Sequence, residues 1–290
     1  MNGSIVALIT PFNDLDQIDY TELERLCEYH IENKTDGLLL LGTTAEAEAL
    51  SYDEKRELVD FVCKKVENKL SVMVGIISNI TEEVIEQAKL FDDIKFDSYL
   101  VINPFYNKTN ESGMLKHFTY IADSVGKPVV LYNVPKRTGM SIPIEVVRAL
   151  SYHKNIIGIK EASGDMNYLT QLFNNISEDF TVYCGDDSTM LLALYLGAKG
   201  VISVIGNAFP KEIKLITSSF NKNDGICKTT FYKLYDLIRV MYEEVSPIGI
   251  KYIMYLIGFN KSKYRRPLDE PSRKLKRSIE KELFVILDEN

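Results

Sequence analysis

One lysine stands out because it lies in an apolar run, residues 156–163, that reads as a buried strand. Lysine is seldom buried without a role or a partner. A buried amine loses its proton readily and can then attack a carbonyl carbon. The ordinary alternative is that Lys160 lies at a strand end, where its ammonium reaches water or pairs with Glu161. The residues around it must decide between these two interpretations.

Other reactive or polar side chains follow the neighbouring apolar runs. They are hydroxyl groups and one guanidinium, contributed by Thr43, Thr44, Tyr106, Tyr132 and Arg137. An amine nucleophile with such neighbours would suit imine chemistry on a keto acid. The amine attacks the ketone, the hydroxyls carry protons, and the arginine holds a carboxylate through a bidentate pair. Each residue alone has an ordinary explanation as a cap, a packed ring or a surface charge, so their shared position at strand ends carries the prediction.

Eight apolar runs predict the strands that would position these groups, and each is followed by a helical pattern. The predicted strands cover residues 3–9, 37–41, 71–77, 98–103, 129–134, 155–160, 181–184 and 200–205. Continuous apolar runs are typical of parallel strands covered by helices. Residues 1–221 therefore predict a closed (β/α)8 TIM barrel, whose active site lies at the carboxyl ends of its strands. A doubly wound sheet is the alternative, but the glycine fingerprint usual after its first strand is missing.

Residues 222–290 lack a strand pattern and predict a C-terminal extension of three helices packed on the barrel. The first would run from about Asp224 to Glu244. The second would begin at Pro247 with Ser246 as its cap, since proline favours the first helical position. The third would cover about residues 271–287.

Composition excludes several classes of function. The net charge is −7, and the one basic stretch, residues 261–277, is interrupted by prolines and acids, so we expect no nucleic-acid partner. No apolar run approaches a membrane span, and no signal peptide is recognisable at the start. The four cysteines form no CxxC pair and the three histidines have no metal-ligand spacing. We therefore expect a cytoplasmic protein with no metal site and no membrane contact.

Six motifs together resemble the dihydrodipicolinate synthase / N-acetylneuraminate lyase family in order and spacing. They are GTTAE at 42–46, PFYN at 104–107, YNVPKRTG at 132–139, IKEASG at 159–164, GVISV at 200–204 and PIGIK at 247–251. The resemblance covers essentially the whole chain. Arg137 indicates the synthase side of the family, because the sialate lyases usually lack this arginine.

This resemblance implies four catalytic residues and no cofactor or metal. Lys160 would form an imine with pyruvate, while Tyr132, Thr43 and Tyr106 would form a hydroxyl relay. Tyr106 would be donated across a tight interface between two copies of the chain. The family suggests a homodimer or a homotetramer built as a dimer of dimers.

The resemblance also implies a substrate-binding set. Thr44 would help to bind the pyruvate carboxylate, and Arg137 would receive the carboxylate of aspartate semialdehyde. Backbone groups at Gly185 and Ile202 would line the pocket. The enamine would then attack the aldehyde, and the product would cyclise.

Departures from the family pattern keep alternatives open. Ala45 stands where a glycine is usual and would be strained if φ were positive; Ser246 and Gly249 replace a usual asparagine and proline. A related pyruvate aldolase or lyase for another 2-keto acid is one alternative, and a non-catalytic pyruvate-binding paralogue is another. The intact relay argues against the binding protein. Tyr52 and Lys55 replace histidines usual in lysine-inhibited members, so we predict weak or absent inhibition by lysine.

Overall fold

The computed structural model describes residues 2–222, 225–259 and 262–288. Eight parallel strands close into a barrel in sequence order, and the eighth pairs with the first. The strands are β1 Gly3–Ala7, β2 Gly37–Leu40, β3 Ser71–Ile76, β4 Ser98–Ile102, β5 Val129–Asn133, β6 Ile156–Glu161, β7 Thr181–Cys184 and β8 Gly200–Ser203. The predicted (β/α)8 barrel is confirmed.

Helices follow the strands and cover the outside of the barrel. They are α1 Tyr20–Glu32, α2 Tyr52–Lys65, α3 Thr81–Lys89, α4 Glu111–Ser124, α5 Pro135–Thr138, α6 Ile144–Leu150, α7 Met166–Asn175, α8 Met190–Leu196 and α9 Pro210–Ser219. Side-chain caps start several of them: Ser51 and Glu54 form a capping box on α2, and Asp165 accepts from two amides of α7. By contrast, α6 begins at Ile144 after Pro143, without a side-chain cap.

Both faces of the strands are buried, which explains why their sequences are continuous apolar runs. Every residue of β2, β4, β5 and β8 is buried. One face packs inside the barrel and the other packs under the helices. Most predicted strands extended one or two residues too far at their carboxyl ends. At Ile9, beyond β1, and at Ile205, beyond β8, the backbone amides donate to the side chains of Asn207 and Asp187 instead of a neighbouring strand.

The C-terminal extension forms α10 Ile226–Met241, α11 Ile248–Leu256 and α12 Arg273–Asp288, and α10 packs against α9 and α12. The predicted cap of the second helix is wrong. Pro247 occupies the capping position and Ser246 lies one residue before it, too far back to reach the amides of the first turn. The predicted helix start at Asp224 and the chain end at Asn290 lie outside the described residues. The division between residues 221 and 222 stays a prediction.

Among the described residues, no helix combines the length and the apolar character that a membrane crossing requires.

Candidate active site

A cavity of about 600 Å³ opens at the carboxyl ends of the strands. Ala7 and Leu39, from β1 and β2, contribute to its lining. The loops after the strands supply its polar groups, and residues 242–246, between α10 and α11, line it from the C-terminal extension. Six of the predicted site residues line this cavity: Thr43, Thr44, Tyr132, Arg137, Lys160 and Gly185.

A second cleft of about 530 Å³ lies near the amino ends of β2, β3 and β4. Its lining is mainly surface charge, including Asp36, Asp97 and Lys69. None of the predicted site residues lines it. The carboxyl-end cavity is therefore the candidate active site, as expected for this fold.

Lys160 and Tyr132 are brought together by the register of two neighbouring strands. Tyr132 of β5 pairs with Lys160 of β6, so both side chains rise on the same face of the sheet. The Lys160 ammonium lies 4.5 Å from the centroid of the Tyr132 ring. Lys160 is only 5% exposed, so it does not snorkel to bulk water.

The carboxylate of Glu161, the next residue in the chain, forms its hydrogen bonds with groups other than Lys160. It accepts from Asn133 Nδ2 at 2.5 Å and from the Ser163 amide at 2.6 Å. Burial raises the pKa of Glu161, and these two hydrogen bonds oppose that rise. Glu161 therefore braces β5 and the loop after β6 and is not the partner of Lys160.

Thr43 and Thr44 lie on a single turn of 3₁₀-helix, Thr43–Ala45, directly after β2. Thr44 is buried at the edge of the cavity. The Thr10 hydroxyl donates to the Ala45 carbonyl at 2.7 Å and ties this turn to the loop after β1. Ala45 does not have a positive φ, so its replacement of a glycine causes no backbone strain.

Arg137 projects from α5, a four-residue helix that the sequence interpretation did not predict. Its Nη2 donates to the Ser246 carbonyl at 3.0 Å, which joins the loop after β5 to the extension. The neighbouring Lys136 pairs with Asp186 at 3.4 Å. The described lining of the cavity carries four basic side chains, Lys136, Arg137, Lys160 and Arg239, and three acidic ones, so a small excess of positive charge suits an anionic substrate.

Tyr106 and Ile202 do not line the cavity of their own chain. Tyr106 follows β4 with a φ of 61°, and 89% of its surface is exposed. Ile202 lies within β8 and is 1% exposed. Both assignments stay predictions.

Asp187 and Tyr242 were missed by the sequence interpretation. The Asp187 carboxylate accepts from the amides of Val204 and Ile205 and from the Tyr242 hydroxyl, each at 2.9–3.0 Å. Burial raises the pKa of Asp187, and burial beside this carboxylate raises that of Tyr242 well above its usual range. The acidic pair directly after Gly185 was a visible sign of Asp187, but Tyr242 lies just past the end of α10, in a stretch whose sequence gives no sign of a site.

Metal ligands are not grouped in the described residues: no three His, Cys, Asp or Glu side chains are placed to hold an ion. The four cysteines are buried and unpaired.

Comparison with known proteins agrees with this geometry. Residues 1–285 match the model of the dihydrodipicolinate synthetase family. A 4-hydroxy-tetrahydrodipicolinate synthase from Hydrogenobaculum sp. is 39% identical over 272 residues, covering 93% of each chain.

Solved structures also match this chain over nearly its whole length. Dihydrodipicolinate synthase from Aquifex aeolicus is 34% identical, with a TM-score of 0.94 over 98% of this chain and 97% of that one. The Acinetobacter baumannii enzyme, solved as a complex with pyruvate, is 32% identical, with a TM-score of 0.95 over 98% of each chain. By sequence and by structure, the chain belongs to the dihydrodipicolinate synthetase family.

Proposed function

We propose that this protein condenses pyruvate with L-aspartate 4-semialdehyde to form 4-hydroxy-tetrahydrodipicolinate, a step of lysine and diaminopimelate biosynthesis. It is a lyase of the class I aldolase type. The observation that carries the proposal is the buried Lys160 amine 4.5 Å from the Tyr132 ring, in a cavity at the barrel mouth. The pyruvate complex of the Acinetobacter baumannii relative supports the choice of keto acid.

The reaction begins when the Lys160 amine attacks the ketone carbon of pyruvate. The carbinolamine loses water and leaves an iminium, which withdraws electrons from the adjacent methyl group. That methyl group loses a proton and becomes an enamine carbon, which forms a bond to the aldehyde carbon. The aldehyde oxygen takes up a proton. The amino group of the second substrate then attacks the imine carbon and releases Lys160 as the ring closes.

The hydroxyl groups move the protons in these steps. Tyr132 stands beside Lys160 in the strand register, and it would carry protons during carbinolamine formation and dehydration. Thr43, from the turn after β2, would continue the relay toward Tyr106. Because Tyr106 is 89% exposed in its own chain, we propose that it enters the site of a second copy, in a homodimer or a dimer of dimers.

Substrate carboxylates would be held on opposite sides of the cavity. The Thr43–Ala45 turn would bind the pyruvate carboxylate through Thr44. Arg137 would bind the carboxylate of the semialdehyde, with guanidinium donors beyond the one given to Ser246. Backbone groups at Gly185 and Ile202 would complete the lining.

No metal or organic cofactor has a role in this chemistry, because the protonated imine itself accepts the electrons. Both substrates are small metabolites, and we propose that the protein works in the cytoplasm.

Trapping the imine tests the proposal. Pyruvate and borohydride should leave a reduced adduct that mass spectrometry places on Lys160, and a Lys160→Ala variant should give none. Rates with aspartate semialdehyde and with N-acetylneuraminate then identify the reaction. An adduct combined with turnover of N-acetylneuraminate alone would favour a lyase, and a folded protein without any adduct would exclude imine chemistry.

A further inference from the structure

The turn that carries Thr43 and Thr44 lies between two residues in the left-handed backbone region. Leu41 has a φ of 52° and Glu46 a φ of 55°, and neither is glycine. Side chains in this region cost on the order of 1 kcal/mol each, so the surrounding structure must hold them there. The conformation of the turn is therefore imposed by contacts beyond the turn itself.

Glu46 makes the most buried of these contacts. Its carboxylate pairs with Lys251 of α11 at 2.5 Å, and the exposed fractions of the two side chains are 1% and 3%. The second carboxylate oxygen accepts from the Arg265 amide at 2.8 Å. Both oxygens of Glu46 are thus held by the C-terminal extension, more than 200 residues away along the chain.

Lys251 is itself held in place by aromatic rings. Its ammonium lies 4.4 Å from the centroid of Phe12 and 5.2 Å from that of Tyr264. Burial lowers the pKa of Lys251, and the Glu46 carboxylate opposes this by favouring the ammonium. A buried ion pair in such a setting contributes little net stability, but loss of one partner strands the other charge. This arrangement favours a role in geometry over a role in stability.

We propose that Glu46 is a positioning residue, whose ion pair with Lys251 fixes the Thr43–Ala45 turn in the conformation that receives the carboxylate of the keto acid. The inference rests on the proposed function, in which Thr44 binds that carboxylate. The C-terminal extension, which lines the cavity, would thus also hold the turn that binds the pyruvate carboxylate.

The test measures how much pyruvate half-saturates borohydride trapping at Lys160. Glu46→Gln keeps the size of the side chain and removes its charge. The half-saturating pyruvate concentration should rise about tenfold or more, since small displacements of binding groups are costly. The KM for aspartate semialdehyde should stay within about twofold, because Arg137 lies on another loop.

Glu54→Gln is the matched control. Glu54 pairs with the Arg265 guanidinium at 2.5 Å, in the same part of the extension, but it lies on α2, outside the turn. Its loss should lower the melting temperature and leave the half-saturating pyruvate concentration within about twofold of wild type.

A double variant separates position from stability. Glu46→Gln combined with Lys251→Met leaves no stranded charge, so its melting temperature should exceed that of Lys251→Met alone. Its half-saturating pyruvate concentration should nevertheless stay raised. Glu46→Asp, which keeps the charge and draws it back by one methylene, should give a smaller rise in the same concentration.

The outcomes distinguish this inference from the proposed function. Absence of trapping in the wild-type protein would overturn both. Normal trapping in the wild type, with unchanged pyruvate half-saturation in the Glu46 variants, would overturn the positioning role alone. The double variant could instead recover both the wild-type melting temperature and the wild-type half-saturating pyruvate concentration. That result would assign Glu46 to stability and would also overturn the positioning role.

Discussion

Gly185 lies so close to Lys160 that a methyl group in place of its hydrogen would be 2.7 Å from Lys160 Cε and 2.9 Å from Cγ. Real side-chain atoms do not approach so closely, and Ala162 Cβ, also 2.9 Å away, blocks one escape. Gly185 does not have a positive φ. A glycine is therefore required here by space for the stem of Lys160, and backbone strain has no part in it.

Gly185→Ala should accordingly displace the Lys160 amine. We expect the rate of imine trapping with pyruvate to fall roughly 100-fold, as for a displacement of about 1 Å at a reacting group. Gly126→Ala is the control, because that glycine has open space around it and a φ that alanine can adopt. Equal trapping rates in the two variants would contradict this account.

Arg137→Ala should weaken binding of the second substrate alone. Loss of a charged hydrogen-bonding partner costs about 1.5–3 kcal/mol, or roughly 10- to 150-fold in the KM for aspartate semialdehyde. Pyruvate half-saturation should not change. Lys136→Ala serves as the comparison, since Lys136 lines the same cavity but pairs with Asp186. The assignment fails if both variants raise the semialdehyde KM equally.

Tyr106 can be assigned to its own or to a second subunit by mixing variants. Tyr106→Phe and Lys160→Ala should each have low activity. After subunit exchange, about one quarter of wild-type activity should return, because half of randomly formed dimers are mixed and each has one complete site. If exchange is verified by mass and no activity returns, Tyr106 is not shared between subunits.

Free lysine should inhibit this protein weakly or not at all. Lys55 is buried, and its ammonium lies 3.8 Å from Glu48 and 5.5 Å from the centroid of Tyr52. The chain thus supplies its own ammonium where the resemblance would place residues that sense lysine. Initial rates at rising lysine concentration provide the measurement. Half-inhibition at low-millimolar lysine would contradict the prediction.

Acid should destabilise the protein through its buried histidines. Burial lowers the pKa of His117 to about 4 and that of His30 to about 3, from 6.5. The unfolded chain takes up these protons below pH 6.5 while the folded chain does not. The stability that the two neutral histidines contribute is therefore complete above pH 6.5 and is lost as the pH falls toward 4. At pH 5 each histidine lowers the free energy of unfolding by about 2 kcal/mol relative to neutral pH.

His117→Gln should remove one of these two contributions. The free energy of unfolding, from denaturant titrations at pH 7.5 and pH 5, should fall by about 2 kcal/mol less in the variant than in the wild type. Each protein is compared with itself at the two pH values, so the effect of the substitution on stability at pH 7.5 cancels. An identical fall in both proteins would show that His117 is protonated equally in the folded and unfolded states.

The sequence by itself determined the barrel and singled out Lys160 as the candidate nucleophile. Strand after strand reads as a continuous apolar run, because strands buried on both faces need apolar residues at every position. Lys160 interrupts that rule on the sixth strand, and glycines, prolines and polar residues mark where the runs end. These are local properties, so they are visible without knowledge of any contact. The predicted strand ends were less exact, since they depend on which side chains accept hydrogen bonds from the last backbone amides.

Only the tertiary structure decided which contacts hold the candidate site in place. The contacts of Glu46 with Lys251 and of Asp187 with Tyr242 join residues 205 and 55 positions apart. No periodicity relates such residues, because their meeting depends on closure of the whole barrel and on where the extension returns to its mouth. Tyr106 stays exposed even in the folded chain, and the partner proposed for it depends on assembly rather than on folding.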